Sequence, residues 1–156
     1  MVVDPFVRRV FDVQDPALDG DQFDYADCFE VRAAAPEERT PEAFARAALE
    51  GTPPAIRGVI LAAHTLVLRF RLGPLYSEDH VLGWRIVTSS SDLVVLEADG
   101  PLMRGVMVGR KTGPGVTVLR TFVFFRRPAA PMVWRVVGVL HRRIAPYLLR
   151  RAAAGG

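Results

Sequence analysis

The sequence predicts an α+β fold in which a curved antiparallel sheet grips a long C-terminal helix. Three observations carry this. From Trp84 to Arg126, apolar runs alternate with turn residues at Ser90-Ser91-Asp92, Asp99-Gly100-Pro101 and Gly113-Pro114-Gly115, the pattern of a β-meander. Pro128 and Pro131 then stop the last strand, and from Pro131 to Ala153 apolar residues recur at helical spacing. Two further helical segments stand between an early strand and the meander. A sheet that closes on a helix leaves space between them for a ligand.

Taken in order, residues 1–21 are punctuated by Asp and Pro and read as an N-terminal extension or a short edge element, ahead of a domain spanning 22–154. Tyr25 to Val31 makes the first strand. Its alternation puts Tyr25, Asp27, Phe29 and Val31 on one face and Cys28, with Ala26 and Glu30, on the other. Thr40-Pro41-Glu42 starts a helix, with Thr as N-cap, Pro at the first turn and an acid beside the positive end of the helix dipole. It runs to Glu50 and stops at Gly51. Pro53-Pro54 opens a second helix through about Phe70, and Leu75 to Gly83 forms a loop. The meander strands follow as Trp84–Ser89, Leu93–Ala98, Leu102–Lys111 and Val116–Arg126. On the final helix, Val133, Val136, Val137, Leu140, Ile144, Tyr147 and Leu148 form the expected buried stripe, flanked by Trp134 and His141. Pro146 removes one amide from that helix and predicts a kink.

With 156 residues, 50% hydrophobic and 24% charged, the chain is expected to be one domain with a packed core. No apolar run approaches the roughly 18 residues that span a bilayer. The opening Met-Val-Val-Asp-Pro lacks a basic-then-apolar export signal, so the expected location is cytoplasmic, and the lone Cys28 cannot form an internal disulfide. Charge is segregated: residues 1–50 carry −7 and the remainder +10, with no carboxylate side chain after Asp99. Such segregation admits a membrane surface or an acidic partner, through Arg126, Arg127, Arg142, Arg143, Arg150 and Arg151. It also admits simple attraction between the two halves. Nucleic acid is disfavoured, because no basic motif interleaved with aromatic residues appears.

The order strand, two helices, antiparallel strands, long helix resembles the helix-grip architecture of the START-like superfamily, which includes polyketide cyclases. Two segments carry the resemblance to an uncharacterised bacterial family within it: Asp24-Tyr25-Ala26-Asp27-Cys28-Phe29-Glu30-Val31 with Thr40-Pro41-Glu42, and Leu140-His141-Arg142-Arg143-Ile144-Ala145-Pro146-Tyr147-Leu148-Leu149. It spans roughly residues 22–154. It implies a hydrophobic cavity between sheet and C-terminal helix, and implies little about activity, since such folds host carriers, receptors and cyclases alike.

The candidate ligand-binding residues are Tyr25, Asp27, Trp84, Arg120, Phe122, Trp134 and His141. In the last strand, the face bearing Thr117, Thr121 and Val123 reads as the solvent side, which turns Val118, Arg120 and Phe122 inward. A buried guanidinium needs an anion, and Asp27 is the expected partner. The alternatives are a twist that turns Arg120 outward, or a purely structural pair. His64 shares a stripe with Arg57 and Arg71 and reads as a surface residue. His80, in Glu78-Asp79-His80, lies in a solvated loop. No metal motif, phosphate loop or nucleophile motif is present in the sequence. The leading expectation is a binder of a small hydrophobic or lipid-like molecule in a cavity of about 300–1,000 Å³, without a cofactor. The rival is a cyclase, dehydratase or isomerase with Asp27, Tyr25 or His141 as acid and base.

Overall fold

The segment expected to precede the domain supplies its edge strand. In the computed structural model, which describes residues 4–11, 13–18, 20, 22–33 and 37–155, β1 (Phe6–Val10) pairs antiparallel with β2 (Tyr25–Arg32), Val7 opposite Val31. Helices α1 (Pro41–Leu49) and α2 (Pro54–Ala62) follow, and α2 continues into a π-helical turn at Ala63–Val67. Two short strands, β3 (Tyr76–Ser77) and β4 (His80–Val81), occupy what reads in the sequence as a loop. The meander is β5 (Trp84–Ser89), β6 (Leu93–Asp99), β7 (Met103–Gly113) and β8 (Val116–Phe125), and α3 (Ala130–Ala154) ends the fold. The eight strands form one antiparallel sheet in the order β1-β2-β8-β7-β6-β5-β4-β3. This is the expected α+β, helix-grip layout.

Local chemistry explains the boundaries. The Thr40 hydroxyl accepts a hydrogen bond from the Ala43 amide at 3.2 Å and caps α1. Pro41 and Pro54 occupy first-turn positions, where a missing amide costs nothing. α3 runs unbroken through Pro146 to Ala154.

Register decides the faces. Because β2 and β8 are paired with Tyr25 opposite Val123, Asp27 opposite Thr121 and Phe29 opposite Leu119, these six residues share the concave face under the helices. Cys28 lies opposite Arg120 and Ala26 opposite Phe122, on the convex face. The assignment of Arg120 and Phe122 to the cavity is therefore reversed. The convex face is also buried: Phe122 clusters with Val95, Val106 and Val108, and Leu18 and Phe23 of the N-terminal segment close over it. There Arg120 meets Asp15 at 3.0 Å and Arg110 meets the same carboxylate at 2.8 Å. Alternation alone carries no sign when both faces of a strand are covered.

α3 is likewise rotated by about a quarter turn from the stripe expected of it, at 100° per residue. Ala130, Trp134, Gly138, Leu148, Leu149, Ala152 and Ala153 are its buried positions; of the expected stripe Val133, Val137, Ile144 and Leu148 pack inward and Leu140 borders the cavity, whereas Val136 is 74% exposed and Tyr147 also faces outward. Small and aromatic residues, with His141, point at the sheet because that side borders a cavity rather than a filled core.

Candidate functional site

The cavity lies between the concave face and the helices, with a volume of about 110 Å³. Its walls are Phe44 and Ala48 of α1, Ile60 of α2, His64 of the π turn, Trp84, Met107, Thr121 and Val123 of the sheet, and Trp134, Leu140 and His141 of α3. Gly105 keeps the sheet flat enough for this wall, since a β-carbon there would lie 2.7 Å from the Trp84 ring. The lining is almost wholly apolar. The space is smaller than the sequence-based expectation.

Polar groups gather at one corner. Asp27, whose side chain is wholly buried, accepts hydrogen bonds on Oδ2 from the Tyr25 hydroxyl and from His141 Nε2, each at 2.8 Å. A carboxylate oxygen only accepts, so this contact places the imidazole proton on Nε2 and leaves Nδ1 as the basic nitrogen. The Trp134 ring packs against both partners, 5.0 Å from Tyr25 and 5.6 Å from His141 between centroids. Arg142 donates to the Tyr25 oxygen at 3.3 Å and lies over its ring. Burial pushes the Tyr25 phenol up, opposed by the Arg142 hydrogen bond and reinforced by the Asp27 charge. Tyr25 therefore stays a neutral donor at physiological pH.

Two atoms at this corner are buried without a hydrogen-bond partner: Asp27 Oδ1 and Trp134 Nε1. Leaving such a group unpaired costs about 1–3 kcal/mol.

His64 forms the opposite wall. The residue keeps some outer surface, but its ring is enclosed, edge-on to Phe70 and Trp84, and its Nδ1 accepts from Trp84 Nε1 at 3.4 Å. Burial, aided by nearby His141, lowers its pKa to about 4. The expectation of a surface histidine fails because His64 follows Ile60, the buried residue of α2, by four residues and shares its face, Ala62 and Ala63 keeping helical dihedrals between them. The Arg69 that follows has φ of 58°, a left-handed conformation unusual for a side chain with a β-carbon.

Of the seven expected ligand residues, the structure brings Tyr25, Asp27, Trp134 and His141 together and sets Trp84 across the cavity, while Arg120 and Phe122 lie behind the sheet. His64, Thr121 and Arg142 are additions. Arg142 gave no site signal in the sequence, which reads it as a surface cation opposite the helix stripe. His80 bonds Ser77 at 3.0 Å, and no cluster of three or more metal-ligating side chains exists among the described residues. No family model, curated protein or solved structure matches this chain. Among the described residues, no helix is long and apolar enough to cross a membrane.

Proposed function

We propose that this protein binds a small, mostly apolar molecule in the cavity, with the ligand's one polar group held at the Trp134–His141 corner. The observation that carries the reading is the apolar cavity itself, walled by both tryptophans and bordered at one side by the imidazole of His141. A ligand hydroxyl or carbonyl would face His141, and the apolar remainder would supply affinity by burial. The resemblance to ligand-binding helix-grip proteins agrees with this reading. The chain's two tryptophans both line the cavity, so a bound molecule should shift intrinsic emission. Native mass spectrometry of freshly purified protein, joined to fluorescence titration with cyclic ketones and single-ring phenols, tests it. Absence of both a retained mass and an emission change would sink the reading.

A second reading has its own observation. The outward face of α3 presents Met132, Val136, Val139 and Tyr147 together with Arg143 and Arg150. Across the cavity mouth, Leu66 is 73% exposed and Val67 is 46% exposed. An apolar, cationic face free of carboxylates suits an anionic lipid surface. Of the six arginines expected to serve it, Arg126, Arg142 and Arg151 are already bonded within the fold, leaving Arg127, Arg143 and Arg150 as its cations.

A further inference from the structure

We infer that the cavity reads its ligand with two histidines of opposite hydrogen-bonding sense: His141 Nδ1 accepts from a ligand hydroxyl, and His64 Nε2–H donates to a ligand carbonyl at the opposite wall. The class of molecule this selects is a neutral, mostly apolar hydroxy-ketone, in preference to an alcohol or a ketone alone. The inference rests on the cavity being a ligand site, and extends that reading from one polar group to two.

Each tautomer is set by a neighbour that can play only one part. An indole nitrogen only donates, so Trp84 Nε1, 3.4 Å from His64 Nδ1, makes that nitrogen the acceptor and leaves the ring proton on Nε2. Burial, which lowers the His64 pKa to about 4, keeps this ring neutral, with that single proton. A carboxylate only accepts, so Asp27 Oδ2, 2.8 Å from His141 Nε2, holds the proton of the neutral ring on Nε2 and leaves a lone pair on Nδ1. The two rings carry the same tautomer. The nitrogens they have left over are opposite in kind, because the neighbours hold opposite ends of the rings.

Both leftover nitrogens are reachable. Trp134 Nε1 is sealed, because it packs against Gly138. Neither His64 Nε2 nor His141 Nδ1 is sealed in this way: each keeps open surface and, among the described residues, has no protein partner. Both residues line the same cavity, and the His64 ring is otherwise enclosed, so the space its Nε2 reaches is the cavity. The rings are close enough for His141 to help lower the His64 pKa. Thr117 and Thr121 also line the wall, but a hydroxyl rotates to donate or accept and so does not discriminate. The imidazoles do: a carbonyl offered to His141 Nδ1 sets lone pair against lone pair, whereas a hydroxyl there forms a bond.

Three six-membered rings of similar size separate the two contacts. Cyclohexanone carries only the acceptor, cyclohexanol has a single hydroxyl, and 4-hydroxycyclohexanone carries donor and acceptor at opposite ends. Their affinities for the intact protein are measured by proton NMR titration at pH 8, above the ordinary imidazole pKa of about 6.5. The hydroxy-ketone should bind about fivefold more tightly than either single-group ring, the worth of one added hydrogen bond. His141→Phe keeps a ring and removes its nitrogens; it should bring the hydroxy-ketone down to the affinity of cyclohexanone and leave cyclohexanone within about twofold. His64→Phe should weaken cyclohexanone and the hydroxy-ketone together, by about fivefold each. Thermal melts of each variant establish that it is folded. Long-range proton–nitrogen NMR of the unaltered protein, which needs no variant, should find a proton on Nε2 and none on Nδ1 in both rings. A hydroxy-ketone that binds no more tightly than cyclohexanone, a preference that survives His141→Phe, or a proton on Nδ1 of either ring would overturn the paired reading and leave the cavity reading standing. If none of the three rings binds, both readings fall.

Discussion

Asp15 and Asp27 are buried aspartates on opposite faces of one sheet, and their surroundings differ in kind. Asp15 is clamped by two guanidiniums and by the Ala17 amide, so both of its oxygens are satisfied. Burial would raise its carboxyl pKa, but hydrogen bonds from Arg110 and Ala17 and the charges of Arg110 and Arg120 hold it below the usual carboxylate value. Asp27 has a phenol, an imidazole and one oxygen with no partner. The first aspartate closes a strap over the convex face, and its function is complete when the chain is folded. The second leaves hydrogen-bonding capacity unused beside a cavity. Arg120 Nε is also buried without a partner, so the contrast lies in the carboxylates: both oxygens of Asp15 are engaged, and one of Asp27's is not.

The comparison breaks most visibly at Asp15. Asp15→Ala strands two partly buried guanidiniums and should lower stability by about 3–5 kcal/mol in a denaturant titration, without altering the shift in tryptophan emission caused by a cavity ligand. If ligand response fails while the fold persists, the convex face is coupled to the site and the division is wrong.

Acid should next separate the cavity from the clamp. His64 titrates at about 4 in the fold against 6.5 when free. Between those values the unfolded chain binds more protons, so stability is whole above about pH 6.5 and declines as pH falls to 4, by about 3 kcal/mol in total. The Asp15 clamp, whose pKa is lowered, loses its contribution only at more acidic pH. His64→Phe should flatten the slope between pH 6.5 and 4; an unchanged slope would place its origin elsewhere.

A smaller effect sharpens the comparison itself. Asp27→Asn keeps the shape and weakens charge-assisted hydrogen bonds, costing about 1.5 kcal/mol. Combined with Arg120→Met it should be additive within about 0.5 kcal/mol, because the two side chains leave the sheet on opposite sides. Asp15 and Arg120, measured in the same way, should couple by about 1–3 kcal/mol. Strong coupling in the first cycle would restore the pairing that the register contradicts.

The smallest stability change is expected on the outward face of α3. Val136→Ser should stay within about 0.5 kcal/mol of wild type, yet weaken salt-sensitive binding to phosphatidylglycerol vesicles. Equal binding by neutral phosphatidylcholine vesicles would remove the electrostatic part of the membrane reading.

Much of the molecule is written locally. Thr40-Pro41, Pro53-Pro54 and the turn at Gly113-Pro114-Gly115 punctuate the chain by backbone chemistry, and the two- and 3.6-residue periods give strand and helix types from the sequence alone. The same alternation placed Tyr25 and Asp27 on one face, and helical spacing put Trp134 and His141, seven residues apart, on one side of α3. What the sequence could not decide is which way each face points. β8 is covered on both sides, by helices on one and by the N-terminal strap on the other, so its thread of Arg120, Phe122 and Thr121 has no hydrophobic gradient to read. α3 borders a hollow, which accepts Gly138 and His141 where a filled core would demand leucine, so the buried side is turned from the apolar stripe: Val133, Val137, Ile144 and Leu148 pack inward while Val136 and Tyr147 do not. His64 faces inward because it stands four residues after the buried Ile60, a pairing that the stripe of Arg57 and Arg71 concealed in the sequence. Composition and periodicity fixed the elements because those depend on neighbours in the chain. Register, cover and cavity belong to contacts between segments more than 90 residues apart, such as Asp15 with Arg120 and Asp27 with His141, and those only the tertiary structure could bring together.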